Sequence, residues 1–192
     1  MKKIILIGGG GHCKSVIDVI EQEKKFKIAG IIDKPKLLGS RILDYPVIGD
    51  DKNLINLAKK YKNAMITVGH IKSPMIRKNL FNLAVKAGFN FPIIISPNAY
   101  VSVHSKIGQG TIIMHNAVVN ANVTIGINCI INSMSLIEHD CTIFNNCHVS
   151  TNATINGNVS VGEGSFIGSN STIKESSRIE KNSFVKAGLL FK

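Results

Sequence analysis

Of the six histidines in this 192-residue chain, one lies directly between two carboxylates, in the sequence Glu138-His139-Asp140. An imidazole exchanges a proton near neutral pH, and an adjacent carboxylate can orient the ring. His139 is therefore a candidate general base for an amine or hydroxyl nucleophile. A structural histidine on an acidic surface loop is the alternative.

A six-residue repeat surrounds this histidine. In steps of six from Val101 to Val185, all fifteen positions are Ile or Val, and the position two residues earlier is always small or β-branched. Side chains at those two positions face the same side of a strand, and the rest of each hexad turns the chain. Three turns close an eighteen-residue coil, and stacked coils pair in parallel about 4.8 Å apart. Residues 97–192 therefore predict a parallel β-helix.

The corners of this helix are predicted from residues that tolerate left-handed backbone. Asn and Gly directly after the repeated Ile or Val fit that role: Gly108, Asn120, Gly126, Asn132, Asn156, Gly162 and Gly168.

The repeat also predicts what lies beside His139. Ile137 and Cys141 are inward positions, so the histidine between them projects from a corner. Gly157 follows eighteen residues later and should lie one coil away, about 5 Å along the same column. Its unobstructed backbone N–H is a candidate donor for a developing oxyanion.

The N-terminal part, residues 1–96, has the pattern of a small α/β domain. A buried strand at 3–7 runs into Gly8-Gly9-Gly10-Gly11-His12, and a helix follows. Further strands are predicted at 28–33, 64–68 and 92–95, with helices near 51–61 and 73–87. This alternation predicts a parallel sheet of Rossmann type.

The glycine loop lies where a strand ends and a helix begins, so its backbone N–H groups could receive an anion. It matches neither the dinucleotide fingerprint nor a Walker A loop. Asp33, at the end of the second strand, is placed to meet a ribose hydroxyl. A tight turn without ligand, and a capping role for Asp33, are the alternatives.

Charge and composition indicate which class of ligand the protein binds. The net charge is +11, and residues 1–96 hold 17 Lys or Arg against 7 Asp or Glu, which suits an anionic ligand such as a nucleotide diphosphate. Solvated Lys-rich helix faces are the alternative. Nucleic acid is disfavoured, because there is no Trp, no basic run and only 6% aromatic residues.

Cysteine usage and hydropathy indicate a cytoplasmic protein without a membrane span. No apolar run reaches the roughly 18 residues of a spanning helix. The four cysteines form no CxxC and are expected to be buried, reduced thiols. Three of them, Cys129, Cys141 and Cys147, occupy inward positions, so a thiol nucleophile is not expected.

The hexad pattern resembles the hexapeptide-repeat acyltransferases. Together with the Gly8–His12 loop and the Rossmann-like half, it resembles the nucleotide-sugar N-acetyltransferases of the bacillosamine and perosamine pathways and the sialic acid O-acetyltransferases. This resemblance implies a left-handed β-helix, acetyl-CoA as co-substrate, a nucleotide sugar held by the N-terminal domain, and a homotrimer.

The resemblance also implies residue roles. His139 would be the base, with Asp140 raising its basicity and Glu138 as the competing carboxylate. The positions that match the family's substrate contacts are Gly10, Gly11, His12, Asp33, Gly69 and His70. The positions that match its acetyl-CoA contacts are His148, Ser169 and Ala187.

The eighteen-residue coil places the candidate catalytic residues and two of the acetyl-CoA positions in different columns. Ser169 and Ala187 differ by eighteen and share a column, whereas His139 and Gly157 share another on a different side of the prism. A site that uses both columns would form between neighbouring subunits. His115 falls on the Ser169 column and is expected at a surface or interface.

The function predicted is acetyl-CoA-dependent N-acetylation of a UDP-, GDP- or dTDP-linked 4-amino-deoxy sugar in bacterial surface-glycan biosynthesis. O-acetylation of sialic acid or a related sugar is one alternative. A metal-dependent hydratase using His115, His139 and His148 is another, and a non-catalytic nucleotide-sugar-binding scaffold is the third. No metal site is predicted.

Overall fold

A computed structural model describes residues 1–192, and the chain divides into two compact units. The first comprises Met1–Gly69 and Ile76–Pro92; the second comprises His70–Met75 and Ile93–Lys192. The predicted boundary after Ser96 did not include the short segment His70–Met75 in the second unit. None of the helices has the length and the apolar composition that spanning a membrane requires.

The elements of the first unit are β1 (Lys2–Ile7), α1 (Gly11–Glu23), β2 (Phe26–Ile32), β3 (Arg41–Ile42), β4 (Tyr45–Gly49), α2 (Leu54–Tyr61), β5 (Asn63–Ile66) and α3 (Met75–Lys86), with 3-10 turns at Pro35–Leu37 and Asp51–Asn53. Its five strands form one sheet in the order β3-β4-β2-β1-β5. β1 pairs in parallel with β2 and β5, while β3 and β4 form an antiparallel hairpin. The wholly buried run Ile4–Leu6 is typical of a central parallel strand.

The sequence predicts part of this unit. Its β1, β2, β5 and three helices are confirmed, but β3 and β4 were missed because their residues show too short an apolar pattern. The strand predicted at 92–95 was assigned to the wrong sheet. Ile94–Ile95 pairs with Ile112–Ile113 and belongs to the second unit.

The second unit is a left-handed parallel β-helix. Seventeen two-residue strands form it: β6 (Ile94–Ile95), β7 (Tyr100–Val101), β8 (Lys106–Ile107), β9 (Ile112–Ile113), β10 (Val118–Val119), β11 (Thr124–Ile125), β12 (Ile130–Ile131), β13 (Leu136–Ile137), β14 (Thr142–Ile143), β15 (His148–Val149), β16 (Thr154–Ile155), β17 (Ser160–Val161), β18 (Phe166–Ile167), β19 (Thr172–Ile173), β20 (Arg178–Ile179), β21 (Phe184–Val185) and β22 (Leu190–Phe191). They stack every eighteen residues into three sheets of six, five and six strands.

Both inward registers predicted from the repeat are confirmed. From Ile113 to Val185, the repeated Ile and Val side chains are all buried, and Cys129, Cys141 and Cys147 lie among them as reduced thiols. The register also extends one hexad beyond the predicted repeat at each end, to Ile95 and Phe191, which pack against the same core.

The corner residues were predicted at the wrong positions. From Ile113 onward, left-handed backbone occurs three residues before each repeated Ile or Val, as at Asn116, Asn122 and Asp140, and not at Gly108 or its equivalents. Gly108 is required for another reason. A Cβ there would lie 2.5 Å from the backbone of Gly126 in the next coil, so close stacking of the coils excludes a side chain.

Candidate active site

His139 projects from the corner between β13 and β14, as the repeat predicted. Ile137 and Cys141 are fully buried on either side, whereas 61% of the His139 side chain is exposed. Its Nδ1 lies 2.7 Å from Oδ2 of Asp140. A carboxylate only accepts, so Nδ1 carries the hydrogen in the neutral ring, and the lone pair is on Nε2. This tautomer leaves Nε2 able to accept a proton from a nucleophile.

Asp140, rather than Glu138, is the carboxylate that contacts His139. Its other oxygen, Oδ1, accepts from Nδ2 of Asn122 at 2.7 Å. These two hydrogen bonds, first that of Asn122 and then that of His139, lower the pKa of Asp140. Glu138 instead accepts from Nδ2 of Asn120 at 2.8 Å.

Gly157 lies against the imidazole, one coil on from His139. A Cβ at Gly157 would be 2.7 Å from Cε1 and 2.9 Å from Nε2 of the ring. The N–H of the next residue, Asn158, donates to the His139 carbonyl at 3.0 Å, while the Gly157 N–H has no hydrogen-bond partner in the protein. Gly157 is predicted from the repeat as an N–H donor, and the structure adds a steric need for glycine at this position.

His148 lies on a different face of the prism and is buried. Its Nδ1 donates to the carbonyl of His70 at 2.7 Å, and its Nε2 lies 3.3 Å from Nδ2 of Asn132. The His70 and Phe166 rings pack edge-on against it, with centroids 5.5 and 5.1 Å away. His70 belongs to the same unit as His148, a placement that the sequence did not reveal.

Ser169 and Ala187 lie in one column at a third location, the corner that follows β18 and β21. The hydroxyl of Ser169 is 2.9 Å from that of Ser150. The backbone N–H groups of Ser169 and Ala187 have no partners in the protein. His115 shares this column, and its Nδ1 lies 2.7 Å from the Ser96 hydroxyl. The separation of this column from that of His139 agrees with the coil arithmetic.

A cavity of about 550 Å³ lies in the first unit at the carboxyl ends of its strands. All five residues that the sequence analysis assigned to substrate in this unit line it: Gly10, Gly11, His12, Asp33 and Gly69. Gly10 caps α1 without a side-chain hydrogen bond, and a Cβ at Gly10 or Gly11 would meet nothing within 4 Å. The first N–H groups of α1 therefore lie beside open space, where an anion can bind.

Asp33 performs the capping role that was the alternative interpretation. Its Oδ2 accepts the Gly9 N–H and its Oδ1 accepts the Lys34 N–H at 2.6 Å. A Cβ at Gly9 would lie 2.8 Å from the same Oδ2. The carboxylate thus holds the glycine loop against the end of β2, and it still lines the cavity.

Further residues of the cavity wall were missed by the sequence analysis. Asp50, Asp51 and Lys52 follow β4, and Ile76 and Leu80 belong to α3. Burial, and then the charges of the neighbouring carboxylates Asp50 and Asp33, raise the pKa of Asp51. Because β4 was not predicted, nothing in the sequence marked the residues after it as lying near the glycine loop.

Metal-ligating side chains do not come together in this chain. No group of three or more His, Cys, Asp or Glu has an arrangement that could hold a metal ion. His115, His139 and His148 are at separate corners and faces.

Comparisons with known proteins match both units. The family described as the PglD N-terminal domain matches residues 3–83, and the bacterial transferase hexapeptide family matches 104–139 and 140–175. A curated relative, UDP-N-acetylbacillosamine N-acetyltransferase of Bacillus subtilis (strain 168), is 31% identical over 115 residues. That alignment covers 59% of this chain and about half, 52%, of the relative.

Two solved structures resemble the whole chain. The acetyltransferase domain of PglB from Neisseria gonorrhoeae FA1090, in complex with acetyl coenzyme A, has a TM-score of 0.92 at 29% identity and covers 100% of this chain and 91% of that one. PerB from Caulobacter crescentus, in complex with CoA and GDP-perosamine, has a TM-score of 0.90 at 30% identity, covering 98% and 87%. The chain therefore belongs to the family of hexapeptide-repeat acetyltransferases that includes perosamine N-acetyltransferase.

Proposed function

We propose that this protein transfers an acetyl group from acetyl-CoA to the amino group of a nucleotide-linked 4-amino-deoxy sugar, in bacterial surface-glycan biosynthesis. One observation carries the proposal: His139 has its Nδ1 paired with Asp140 and its Nε2 beside Gly157. Similar proteins bind the two required substrates, since PglB was solved with acetyl coenzyme A and PerB with GDP-perosamine.

The reaction follows from the tautomer at His139. The neutral sugar amine attacks the thioester carbonyl, and Nε2 takes the proton that the nitrogen loses. The unpartnered N–H of Gly157 donates to the oxyanion of the tetrahedral intermediate. Collapse forms the amide and breaks the C–S bond, and the imidazolium returns its proton to the departing CoA thiolate. Asp140 stabilises the transient positive charge on the ring.

The nucleotide sugar belongs in the cavity of the first unit. Its diphosphate would lie at the start of α1, against the backbone of Gly10, Gly11 and His12. Asp33 would accept a ribose hydroxyl with its remaining lone pairs, and Gly69 would border the sugar. These roles make the first unit the nucleotide-sugar-binding domain and the second unit the acyltransferase domain.

Acetyl-CoA would contact His148 on its face of the prism, and the backbone N–H groups of Ser169 and Ala187, which lack partners in the protein, in their column. Because that column and the His139 column lie at different corners, the active site would combine one column from each of two neighbouring protomers of a homotrimer. We also assign the protein to the cytoplasm, where acetyl-CoA and nucleotide sugars are made.

An acetyl-transfer assay tests the proposal. Purified protein is incubated with acetyl-CoA and a panel of UDP-, GDP- and dTDP-linked 4-amino sugars and free sialic acid, and released CoA and product mass are measured. Stability of the product to hydroxylamine distinguishes an amide from an ester, which have the same mass. An acetylated amino sugar with a hydroxylamine-stable acetyl group is expected. A labile product would indicate O-acetylation, and binding of a nucleotide sugar without transfer would indicate a scaffold.

A further inference from the structure

Corner residues of the β-helix form ladders of hydrogen bonds between coils. Asn128 Nδ2 donates to Asn146 Oδ1 at 2.9 Å, and Asn152 Nδ2 donates to Asn170 Oδ1 at 2.7 Å. An asparagine side chain both donates and accepts, so each can serve as a rung between the coil below and the coil above.

Asp140 is the exception among these corners. Of the non-glycine residues with left-handed backbone from Asn116 to Asn182, it is the only one with an ionised side chain. Its side chain accepts from Asn122 as a rung should, but that side chain has no N–H to donate to the coil above. In that coil, Asn158 donates in turn to the Ser176 hydroxyl at 3.2 Å, and the ladder is interrupted only between Asp140 and Asn158. The second oxygen of Asp140 is therefore left for the His139 ring.

From this geometry we propose that Asn122 is a positioning residue for the base, an inference that rests on the proposed function. Asn122 holds Oδ1 of Asp140 so that Oδ2 faces Nδ1 of His139, which places the hydrogen on Nδ1 and the lone pair on Nε2. The two corners are themselves locked together, because the Asp140 N–H donates to the carbonyl of Ala121 at 3.2 Å. The Asp140 side chain is 48% exposed, and without Asn122 it would exchange between rotamers in water.

Asn120, two residues earlier, has the complementary effect on the other carboxylate. It accepts the Ala121 N–H at 2.8 Å and donates to Glu138 at 2.8 Å, so Glu138 is engaged away from the ring. The coil below His139 thus explains why one flanking carboxylate orients the histidine and the other does not.

Replacing the amide at constant backbone geometry tests the role of Asn122. Asn122→Gly keeps the left-handed conformation and removes the donor. We expect kcat to fall roughly 3- to 10-fold with the KM of both substrates unchanged. Asn152→Gly is the matched control, because Asn152 has the same backbone conformation, exposure and bond length. Its corner also carries the Ser169 column, so the comparison is made in kcat at saturating acetyl-CoA. Asn152→Gly should lower Tm by about as much as Asn122→Gly, while its kcat at saturating acetyl-CoA stays within about two-fold of that of the unsubstituted protein. Equal losses of kcat in the two variants would overturn the proposal.

A double-mutant cycle shows whether Asn122 acts through Asp140. In an Asp140→Ala background, Asn122→Gly should cause no further loss of kcat beyond about two-fold. Losses that multiply would mean that Asn122 acts independently of the carboxylate, and the proposal would then be wrong.

Nitrogen-15 NMR of the histidine ring supplies a readout that does not depend on activity. At a pH where the His139 ring is neutral, the hydrogen should be on Nδ1 in the unsubstituted protein and shift toward Nε2 in Asn122→Gly. An unchanged tautomer in the variant would contradict the positioning role. If the tautomer shifts but the unsubstituted protein transfers no acetyl group, the proposed function fails and the positioning of the ring stands.

Discussion

The imidazole of His139 lies directly against the α-carbon of Gly157, with 2.7 Å between Cε1 and the place that a Cβ would occupy. The same column holds Ala121 one coil below His139 and Glu175 one coil above Gly157. The position itself therefore tolerates side chains, and the histidine ring is what requires glycine at 157.

Gly157→Ala should displace the ring and lower kcat by roughly 10- to 100-fold. Because the ring is exposed, it can swing into solvent, so we expect little change in Tm. Steady-state kinetics and thermal melting measure the two effects. In a His139→Ala background, Gly157→Ala should leave Tm unchanged, and a large further drop in Tm would show that the clash is with something other than the ring.

His139→Ala should lower kcat by about 10²-fold or more, because the amine then loses its proton acceptor. His139→Asn keeps a polar side chain without a basic nitrogen, and its kcat should fall as far as that of His139→Ala. His104→Ala is the control, since His104 is an exposed histidine of the same unit. Its kcat should stay within about two-fold. Unchanged turnover in His139→Ala would eliminate this residue as the base.

Hybrid oligomers test whether sites form between protomers. Light scattering should give three times the chain mass of 20.8 kDa. His139→Ala removes the base from one column. Ser169→Trp should prevent acetyl-CoA from binding at the other column, because the indole would fill the space beside the Ser169 N–H. Each variant alone should be inactive, but oligomers refolded from a mixture should recover activity, because some interfaces combine two intact columns. No recovery, with hybrid formation verified by mass, would place the site within one chain.

Asp33→Ala should act on both stability and substrate binding. It removes two hydrogen bonds from backbone N–H groups, so we expect the free energy of unfolding to fall by about 1–3 kcal/mol. The glycine loop should loosen and raise the KM for the nucleotide sugar, with the KM for acetyl-CoA unchanged. Asp33→Asn can still accept one of the two hydrogen bonds, so its free energy of unfolding and its KM for the nucleotide sugar should lie between those of Asp33→Ala and the unsubstituted protein. Equal changes in both KM values would indicate general unfolding instead.

The cysteines should be unreactive in the folded protein. Burial raises the pKa of Cys13 to about 11 and also raises that of Cys141, and hydrogen bonding to Cys129, together with burial, raises that of Cys147. Thiol titration at pH 8 should detect no fast-reacting thiol in the native protein and all four in denaturant. Val103→Cys is the positive control, because Val103 is 91% exposed.

These raised pKa values also imply a pH dependence. Above the usual thiol pKa of 9.0, the unfolded chain releases protons that the native thiols retain, so stability should fall as the pH rises through that value. Denaturant unfolding at pH 8 and pH 10 measures the change. An increase in stability over that interval would contradict buried neutral thiols.

Much of the second unit followed from its sequence, since a six-residue period assigns every side chain to the inside, a face or a corner. The period alone places Gly157 beside His139 and separates both residues from Ser169. The prediction of left-handed backbone at Gly108 was wrong for a clear physical reason. Period alone does not show which residue of the hexad has positive φ, and glycine can be required by close stacking as well as by backbone conformation.

In the first unit, the apolar runs predicted β1, β2 and β5 and the glycine loop, but the short hairpin of β3 and β4 has no comparable signal. The wall of the cavity after β4, including Asp51, was therefore missed.

By itself, the sequence determined the β-helix, its inward registers and the columns along which the candidate catalytic residues lie, because these depend only on chain position modulo eighteen. Only the tertiary structure decided that Asp140 and not Glu138 contacts His139, that Asp33 anchors Gly9, and that His148 is buried beneath His70. Those outcomes depend on rotamers and on hydrogen-bond partners supplied by residues eighteen or more positions away, which no local pattern records.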